Sequence, residues 1–468
     1  MNTYQRKIAG LFLLLSCLFT SSCEKALDTK NNYRQGLSET ATGCQAILDN
    51  YAVMNTGYPS DGEVSADDYY VIDASYLQAN ISETEKSLYV WAANAIRPKA
   101  DPQWQSPYYV VYNANLVLES LEKLKSTTAQ TTLDGIRGQA LFFRAYAFWH
   151  LAQLYAKPYA SSTANTDLGI PLYFSSDVNG SYSKKSTMQE TYNRITQDLQ
   201  EALALLPNTA TTPARPSKTA AYAMLARVYL SMEDYTSALN NANAALLLKS
   251  TLLTFTSLNT TSATPFTRYN TEVIFHSLMV PVQILNPGTA GNNTAKINLS
   301  IVNSYAINDL RKTIFLKQNT GPELGTYRFS GNYEPSVSST LFNGLAVDEM
   351  YLIRAECYAR TGNATLAMTD LNTLLRTRFS GTYVNLTAAT PAEALGIILT
   401  ERRKELLMRG QRWTDLRRLN KDTNYARTLS RTINGITYTL PPNDLRYTLL
   451  IPDEVIIKSN GIVQQNNR

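Results

Sequence analysis

Small residues recur at one fixed spacing in two separate parts of this chain. Ala226 and Ala238 are twelve positions apart, and Ala355 and Ala367 repeat that separation. Within segments of helical periodicity, this spacing is typical of tetratricopeptide units, in which small side chains let two antiparallel helices approach closely. The two units lie 129 residues apart. They therefore predict two discontinuous helical hairpins rather than a tandem array, although any alanine-rich pair of antiparallel helices fits the same pattern.

A further helix is predicted at residues 390–409, with a signal at each end. Thr390 can cap the first turn, Pro391 suits the first helical position, and Glu393 completes a capping box. Gly410 supplies the left-handed residue that commonly ends a helix. The segment is therefore expected to be a single helix that stops at the glycine.

The apolar face of this helix carries charged residues at its C-terminal end. A step of seven positions from Leu395 and Ile398 leads to Arg402 and Glu405, which are three apart and can pair. Charged side chains on a buried face are costly unless they are paired. We expect a partly buried ion-pair network that serves folding. The alternative is a catalytic carboxylate, Glu401 or Glu405, beside basic groups.

The first residues have the features of a bacterial export signal. Arg6 and Lys7 precede an apolar run at 8–19, which is too short to span a bilayer. Small residues come directly before Cys23, as in a bacterial lipobox, and predict that this cysteine is acylated. Cys17 fits a similar pattern with a shorter apolar run, and an ordinary secretory signal is the other alternative.

The balance of charges and the rarity of histidine argue against two functional classes. The chain has 43 basic and 38 acidic residues, and it contains no basic block of the kind that binds nucleic acid. It has two histidines, His150 and His276, so we expect neither a histidine-ligated metal centre nor a cofactor. Cys44 and Cys357 fall in helical patterns and are predicted to be buried free thiols rather than a disulfide.

Several motifs together carry a resemblance to a known family. Residues 401–418 read E-R-R-x-E-L and then G-x-R-W-x-D-L-R-R. This pattern resembles the C-terminal signature of the SusD/RagB family, the outer-membrane nutrient-binding lipoproteins of the Bacteroidetes. Residues 137–146 are similar to the family's R-G-x-A-x-x-x-R-A-Y helix. Residues 451–466 resemble its I-P-x-x-E ending, with Gly461 in place of the family's proline.

The resemblance implies a mostly α-helical fold of discontinuous tetratricopeptide-type hairpins, with a less regular, loop-rich lobe and a few short strands. We expect a signal peptide at residues 1–22, a tether at 23–36 and one globular domain at 37–468. The helical repeats are expected at about 105–249 and 341–420, and the lobe at about 58–104, 250–340 and 421–468.

The same resemblance implies a lipid-anchored, surface-exposed protein of the outer membrane that is not an enzyme. Its partners would be an oligosaccharide and a SusC-like TonB-dependent transporter. A peptide or another nutrient is an alternative ligand, and a helical-repeat scaffold for proteins is an alternative function. A hydrolase using Glu63 and Asp68 is the enzymatic alternative. The chain contains no HExxH, GxSxG or P-loop motif.

The irregular segments 58–104 and 300–335 are rich in aromatic residues, and we expect the ligand to bind where they meet. Sugar rings have apolar faces and a polar rim, so an aromatic platform with polar neighbours suits them. Trp91 and Tyr333 are the predicted stacking platforms, and packing within the loops is the alternative role for each residue. The predicted ligand-binding residues are Asp68, Tyr70, Trp91, Tyr305, Arg328 and Tyr333.

Overall fold

The computed structural model describes residues 38–95, 97–177 and 179–468. The predicted signal peptide, the acylated Cys23 and the tether lie outside the described residues. Within them no helix combines the length and the apolar character needed to cross a membrane.

Helices dominate the structure, and the described residues form seventeen of them. In chain order they are α1 (Ala41–Leu48), α2 (Tyr51–Met54), α3 (Asp61–Ser65), α4 (Asp73–Tyr76), α5 (Glu83–Tyr89), α6 (Pro102–Leu124), α7 (Gln130–Tyr155), α8 (Met188–Leu205), α9 (Lys218–Met232), α10 (Tyr235–Leu248), α11 (Leu299–Val302), α12 (Arg311–Phe315), α13 (Val347–Arg360), α14 (Ala364–Arg376), α15 (Pro391–Glu405), α16 (Arg412–Leu419) and α17 (Asp453–Lys458).

Ten short strands form five separate two-stranded antiparallel sheets within the described residues. The pairs are β1 (Tyr69–Tyr70) with β5 (Lys296–Ile297), β2 (Leu168–Pro171) with β3 (Lys185–Thr187), β4 (Val273–Phe275) with β8 (Leu345–Ala346), β6 (Leu316–Gln318) with β7 (Tyr327–Phe329), and β9 (Leu429–Ile433) with β10 (Ile436–Leu440).

The long helices pack in series from α6 to α10 and then continue directly with α13, α14 and α15. Helices α9 and α10 form one predicted hairpin, and α13 and α14 form the other. Ala226, Ala238, Ala355 and Ala367 are all fully buried, so the small residues lie where the helices approach. Contact between α10 and α13 joins the two hairpins into one array although residues 249–346 separate them in sequence. The predicted mostly helical fold with discontinuous repeats is confirmed.

Helix α15 begins as predicted, because the Thr390 hydroxyl accepts a hydrogen bond from the Glu393 backbone N–H. Its predicted end was wrong. The helix stops at Glu405, and a turn follows in which Met408 and Gly410 both have positive φ values, 57° and 71°. Within this turn Arg409 faces the interior and pairs with Asp348 at 3.1 Å, a contact that fits the turn rather than a continued helix.

The predicted ion-pair network exists, but the predicted pair within it was wrong. Arg402 donates to Asp415 on α16 at 2.8 Å rather than to Glu405. Glu405 instead accepts from Arg311 at 3.1 Å and from Arg378 at 2.7 Å. The two residues are three apart on the helix, but each faces a different neighbour. The three arginines and two acids of these pairs are all buried. Their ion pairs join parts of the chain that are distant in sequence.

The loop-rich segments pack onto the helices rather than forming a separate core. The buried apolar side chains of both regions form one continuous cluster. Phe275 on β4 lies against Phe142 of α7, with ring centroids 4.8 Å apart. Cys44 and Cys357 belong to the same core as free thiols, as predicted.

Candidate functional site

The two irregular segments predicted to hold the ligand are connected through a third element, strand β5. Strand β1, from the first segment, pairs with β5, and β5 packs against β7 of the second segment. Tyr70 is opposite Lys296 in the β1–β5 pair, and Lys296 forms an ion pair with Glu323 at 2.9 Å. The strand pairing therefore brings Tyr70 beside the segment that leads into β7.

Trp91 lies inside the fold, with 3% of its surface exposed. Its indole Nε1 donates to the Ser65 carbonyl at 2.9 Å, and the Arg431 guanidinium lies 4.6 Å from the ring centroid. Its backbone has a φ of 52°, which is rare for a bulky residue. Because its ring is buried and its N–H is already bonded, this conformation presents no open face for a sugar.

Tyr333 and Tyr305 are buried as well. The Tyr333 hydroxyl donates to Glu272 at 2.8 Å, and Arg409 lies over the ring at 4.5 Å. The Tyr305 hydroxyl donates to the Lys404 carbonyl at 2.9 Å. Burial raises the pKa of both phenols well above the usual value. Both tyrosines therefore contribute to the charged interior around α15 in this structure.

Asp68 also faces the interior, where Arg403 donates to it at 2.9 Å. Burial raises its pKa, while Arg403 and Arg412 oppose that rise. Glu63, its partner in the hydrolase alternative, is buried too, and it accepts a hydrogen bond from the Gly410 backbone N–H at 2.9 Å. Asp68 is thus engaged with the protein's own donors. Glu63 keeps one oxygen, Oε1, without a hydrogen-bond partner, and it lines a cavity of about 20 Å³ that is too small for a sugar.

Tyr70 and Arg328 are the two predicted residues whose side chains are partly exposed. Burial of Tyr70, together with the nearby Glu323 carboxylate, raises the pKa of its phenol. Arg328 on β7 donates from Nη1 to the Gln318 carbonyl at 3.0 Å and has no carboxylate partner among the described residues. A half-exposed aromatic ring and an arginine without an ion pair are the groups that this surface offers to a ligand.

Two family models match the chain. One, described as starch-binding and associating with the outer membrane, matches residues 25–230, and the other, described as the SusD family, matches residues 347–467. The chain belongs to the SusD/RagB family. One of the two models is described as starch-binding, which groups this SusD/RagB protein with carbohydrate-binding proteins rather than with enzymes.

Curated relatives match parts of this SusD/RagB chain. SusD-like protein P2 of Formosa agariphila is 29% identical over 140 residues, which are 30% of this chain and 25% of the relative. SusD-like protein P25 of the same organism is 26% identical over 168 residues, which are 32% of this chain and 30% of the relative. The aligned part of the chain thus spans less than a third of either curated relative.

Solved structures match almost the whole SusD/RagB chain and establish its fold. A SusD superfamily protein of Bacteroides thetaiotaomicron has a TM-score of 0.73 and 19% identity, covering 92% of this chain and 100% of that one. A putative sugar-binding protein of Bacteroides vulgatus has a TM-score of 0.71 and 21% identity, with 92% and 98% covered. Surface glycan-binding protein A of Bacteroides uniformis has a TM-score of 0.69 and 17% identity, with 91% and 99% covered.

Sequence reasoning missed Lys296 and Glu323, which connect Tyr70 to the second segment. They lie in a polar stretch with neither helical nor strand periodicity, so their pairing is decided by contacts distant in sequence. The antiparallel pairing of β1 with β5 places Lys296. Strands of two residues are too short to show the alternation of apolar and polar residues by which a strand is recognised in a sequence.

Proposed function

We propose that this SusD/RagB protein is a surface-exposed lipoprotein that binds oligosaccharide nutrients and delivers them to a SusC-like TonB-dependent transporter of the outer membrane. The observation that carries the proposal is the match of two models of this family, one of them described as starch-binding and outer-membrane-associated. The transporter would receive the ligand from a protein held beside it by a lipid on Cys23.

Within this function, the ligand would bind on the surface formed by Tyr70 and the β6–β7 hairpin. The Tyr70 ring can stack on the apolar face of a sugar, and the free donors of Arg328 can bind hydroxyl oxygens. The buried Asp68, Trp91, Tyr305 and Tyr333 would support the fold rather than touch the ligand. The exposure of the side chains supports this assignment, because Tyr70 and Arg328 reach solvent and the other four predicted residues are buried.

Replacing Tyr70 by alanine is expected to weaken oligosaccharide binding by about 1–3 kcal/mol, because an aromatic contact and its buried area are lost. Isothermal titration calorimetry with starch-derived and other oligosaccharides measures the change. Tyr182→Ala is the matched control, since Tyr182 is similarly exposed but lies in the loop after β2. Equal affinities of the Tyr70 variant and the wild type would place the ligand elsewhere.

Replacing Cys23 by alanine is expected to release the protein from membranes, because the variant has no cysteine at the predicted site of acylation. Several acyl chains are needed to hold a protein firmly, and all of them would be lost. Fractionation of cells followed by immunoblotting measures the distribution. Cys17→Ala is the matched control and should stay in the membrane fraction. If the Cys23 variant stays there while the Cys17 variant is released, the acylation site is Cys17. Protease treatment of intact cells tests surface exposure separately.

A further inference from the structure

A pocket of about 170 Å³ lies apart from the Tyr70 surface, between the end of α7, helix α16 and the segment after β10. Its floor is buried and its rim is exposed. Arg417, Asn420, Tyr447 and Thr448 are the buried residues, while Lys157, Lys421, Asn443 and Leu445 are exposed at the rim. The volume corresponds to about six water molecules at roughly 30 Å³ each, which suits one sugar unit rather than a chain.

Arg417 differs from the other charged side chains buried in this part of the fold. Only 3% of it is exposed, and it donates from Nη2 to the Ala156 carbonyl. Its Nε and Nη1 have no hydrogen-bond partner, and no carboxylate of the described residues forms an ion pair with it. The next residue, Arg418, pairs with both Glu356 and Asp415.

The missing counter-ion has an electrostatic consequence. Burial lowers the pKa of Arg417 to about 10, which still leaves it charged at neutral pH. A buried charge without a partner is costly, and an anion bound beside it would offset that cost. The floor of the pocket therefore favours a negatively charged group.

The other charges around the pocket do not supply that anion. Asp444 lines the pocket, but Arg446 holds it at 2.8 Å. At the rim, Lys157 pairs with Asp167 at 2.7 Å and Lys421 pairs with Glu233 at 2.6 Å. These lysines are balanced by carboxylates outside the pocket, and so the charge of Arg417 is the one left uncompensated among the lining residues.

The walls indicate what kind of anion would fit. Tyr447 packs against Trp413 with ring centroids 4.7 Å apart, and Pro158 and Leu445 add apolar surface. Asn443 is exposed at the rim, where its amide nitrogen donates to the Asn420 carbonyl at 2.9 Å and its amide oxygen can accept a hydrogen bond from a hydroxyl. A small ring with an apolar face, several hydroxyls and one anionic group matches all of these features.

We propose that this pocket binds the carboxylate-bearing unit of an acidic sugar, a uronate, with its carboxylate directed toward Arg417. The inference rests on the proposed function, since it names the ligand class of a glycan-binding protein. It assigns the acidic unit a site separate from the surface at Tyr70.

The test compares D-galacturonate with D-galactose, which differ at the carboxylate, by calorimetry on the mature chain at constant ionic strength. The wild type is expected to bind galacturonate about tenfold or more tightly, as a charge-assisted contact predicts. Arg417→Gln should abolish this preference. Arg137→Gln is the matched control, because Arg137 is a partly exposed arginine whose carboxylate partner, Glu122, is exposed, and it should keep the preference.

A variant at the rim keeps the test decisive if Arg417→Gln does not fold. Lys157→Gln leaves the Asp167 carboxylate unbalanced beside the pocket, so it should weaken galacturonate binding several-fold while leaving galactose binding unaffected. Equal binding of the two sugars by the wild type would overturn the inference. Sulfate binding as tight as galacturonate binding would also overturn it, since the pocket would then hold an inorganic oxyanion rather than a sugar.

The Tyr70→Ala variant separates this inference from the proposed function. It should lose affinity for oligosaccharides and keep its preference for galacturonate. If oligosaccharides bind at Tyr70 but galacturonate is not preferred, the pocket proposal alone fails. If galacturonate binds in a manner that depends on Arg417 but no oligosaccharide binds, the proposed function fails and the pocket proposal stands for the free uronate.

Discussion

Replacing Glu405 by glutamine is expected to lower the free energy of unfolding by about 3–5 kcal/mol, the cost of breaking a buried ion pair from one side. The Glu405 carboxylate is fully buried between Arg311 and Arg378, at 3.1 and 2.7 Å. Glutamine keeps the size of the side chain but leaves both guanidinium groups with less compensating charge. Urea unfolding at neutral pH, followed by circular dichroism, measures the loss.

Glu122→Gln is the control for this change. Glu122 also bonds two basic residues, Lys125 and Arg137, but Glu122 and Lys125 are exposed and Arg137 is partly exposed. Its replacement should cost less than about 1 kcal/mol. A Glu405 variant that is as stable as the wild type but no longer binds oligosaccharide would show that this carboxylate takes part in ligand binding rather than in folding. Unchanged affinity per folded molecule is the expected result.

The Glu63→Gln variant is expected to change how stability depends on pH. Burial, and then the neighbouring Asp68, raise the pKa of Glu63 from 4.5 to about 8. Between these values the folded state keeps the proton and the unfolded chain releases it. The contribution of Glu63 to the free energy of unfolding therefore falls as pH rises, by up to about 1.4 kcal/mol per pH unit. The total over this window is on the order of several kcal/mol.

Glutamine cannot ionise, so the variant should lose less stability than the wild type between pH 5 and pH 8. The measured quantity is the difference between the two proteins, because Asp61 and Glu272 also have raised pKa values, about 6 and about 7. Glu83→Gln is the control, since Glu83 is 70% exposed and should leave the profile unchanged. A variant whose stability falls as steeply as that of the wild type would show that Glu63 is ionised in the folded protein.

The helical array could be predicted from the sequence because its signals are local. The separation of Ala226 from Ala238 requires two helices joined by a short turn, and the second hairpin repeats it at Ala355 and Ala367. The start of α15 is also local, since Thr390 and its bonding partner lie within one turn. Such patterns need no information from distant parts of the chain.

The roles of the loop aromatics could not be predicted in this way. Trp91 is buried because Arg431, from the C-terminal hairpin, covers its ring, and Tyr333 is buried because Glu272 and Arg409 hold it. A segment without periodicity does not reveal which of its aromatic rings will be covered by distant residues. The partners of Glu405 could not be predicted for the same reason, since Arg311 lies 94 positions before it. Among the six predicted ligand-binding residues, only Tyr70 and Arg328 are partly exposed and remain accessible to a ligand.

The position of α15 near the end of the chain affects when the protein can fold during synthesis. Arg311 leaves the ribosome together with Asp309, which pairs with it at 2.7 Å, but well before Glu401 and Glu405, its two carboxylate partners on α15. Until α15 emerges, Arg311 lacks two of its three carboxylate partners, and Arg378 lacks Glu405. The buried charges of the lobe are then incompletely paired, so this part of the nascent chain is expected to stay open. A delay of this kind would suit the proposed export of this protein as an extended chain, since a compact core formed early would hinder its passage across the inner membrane.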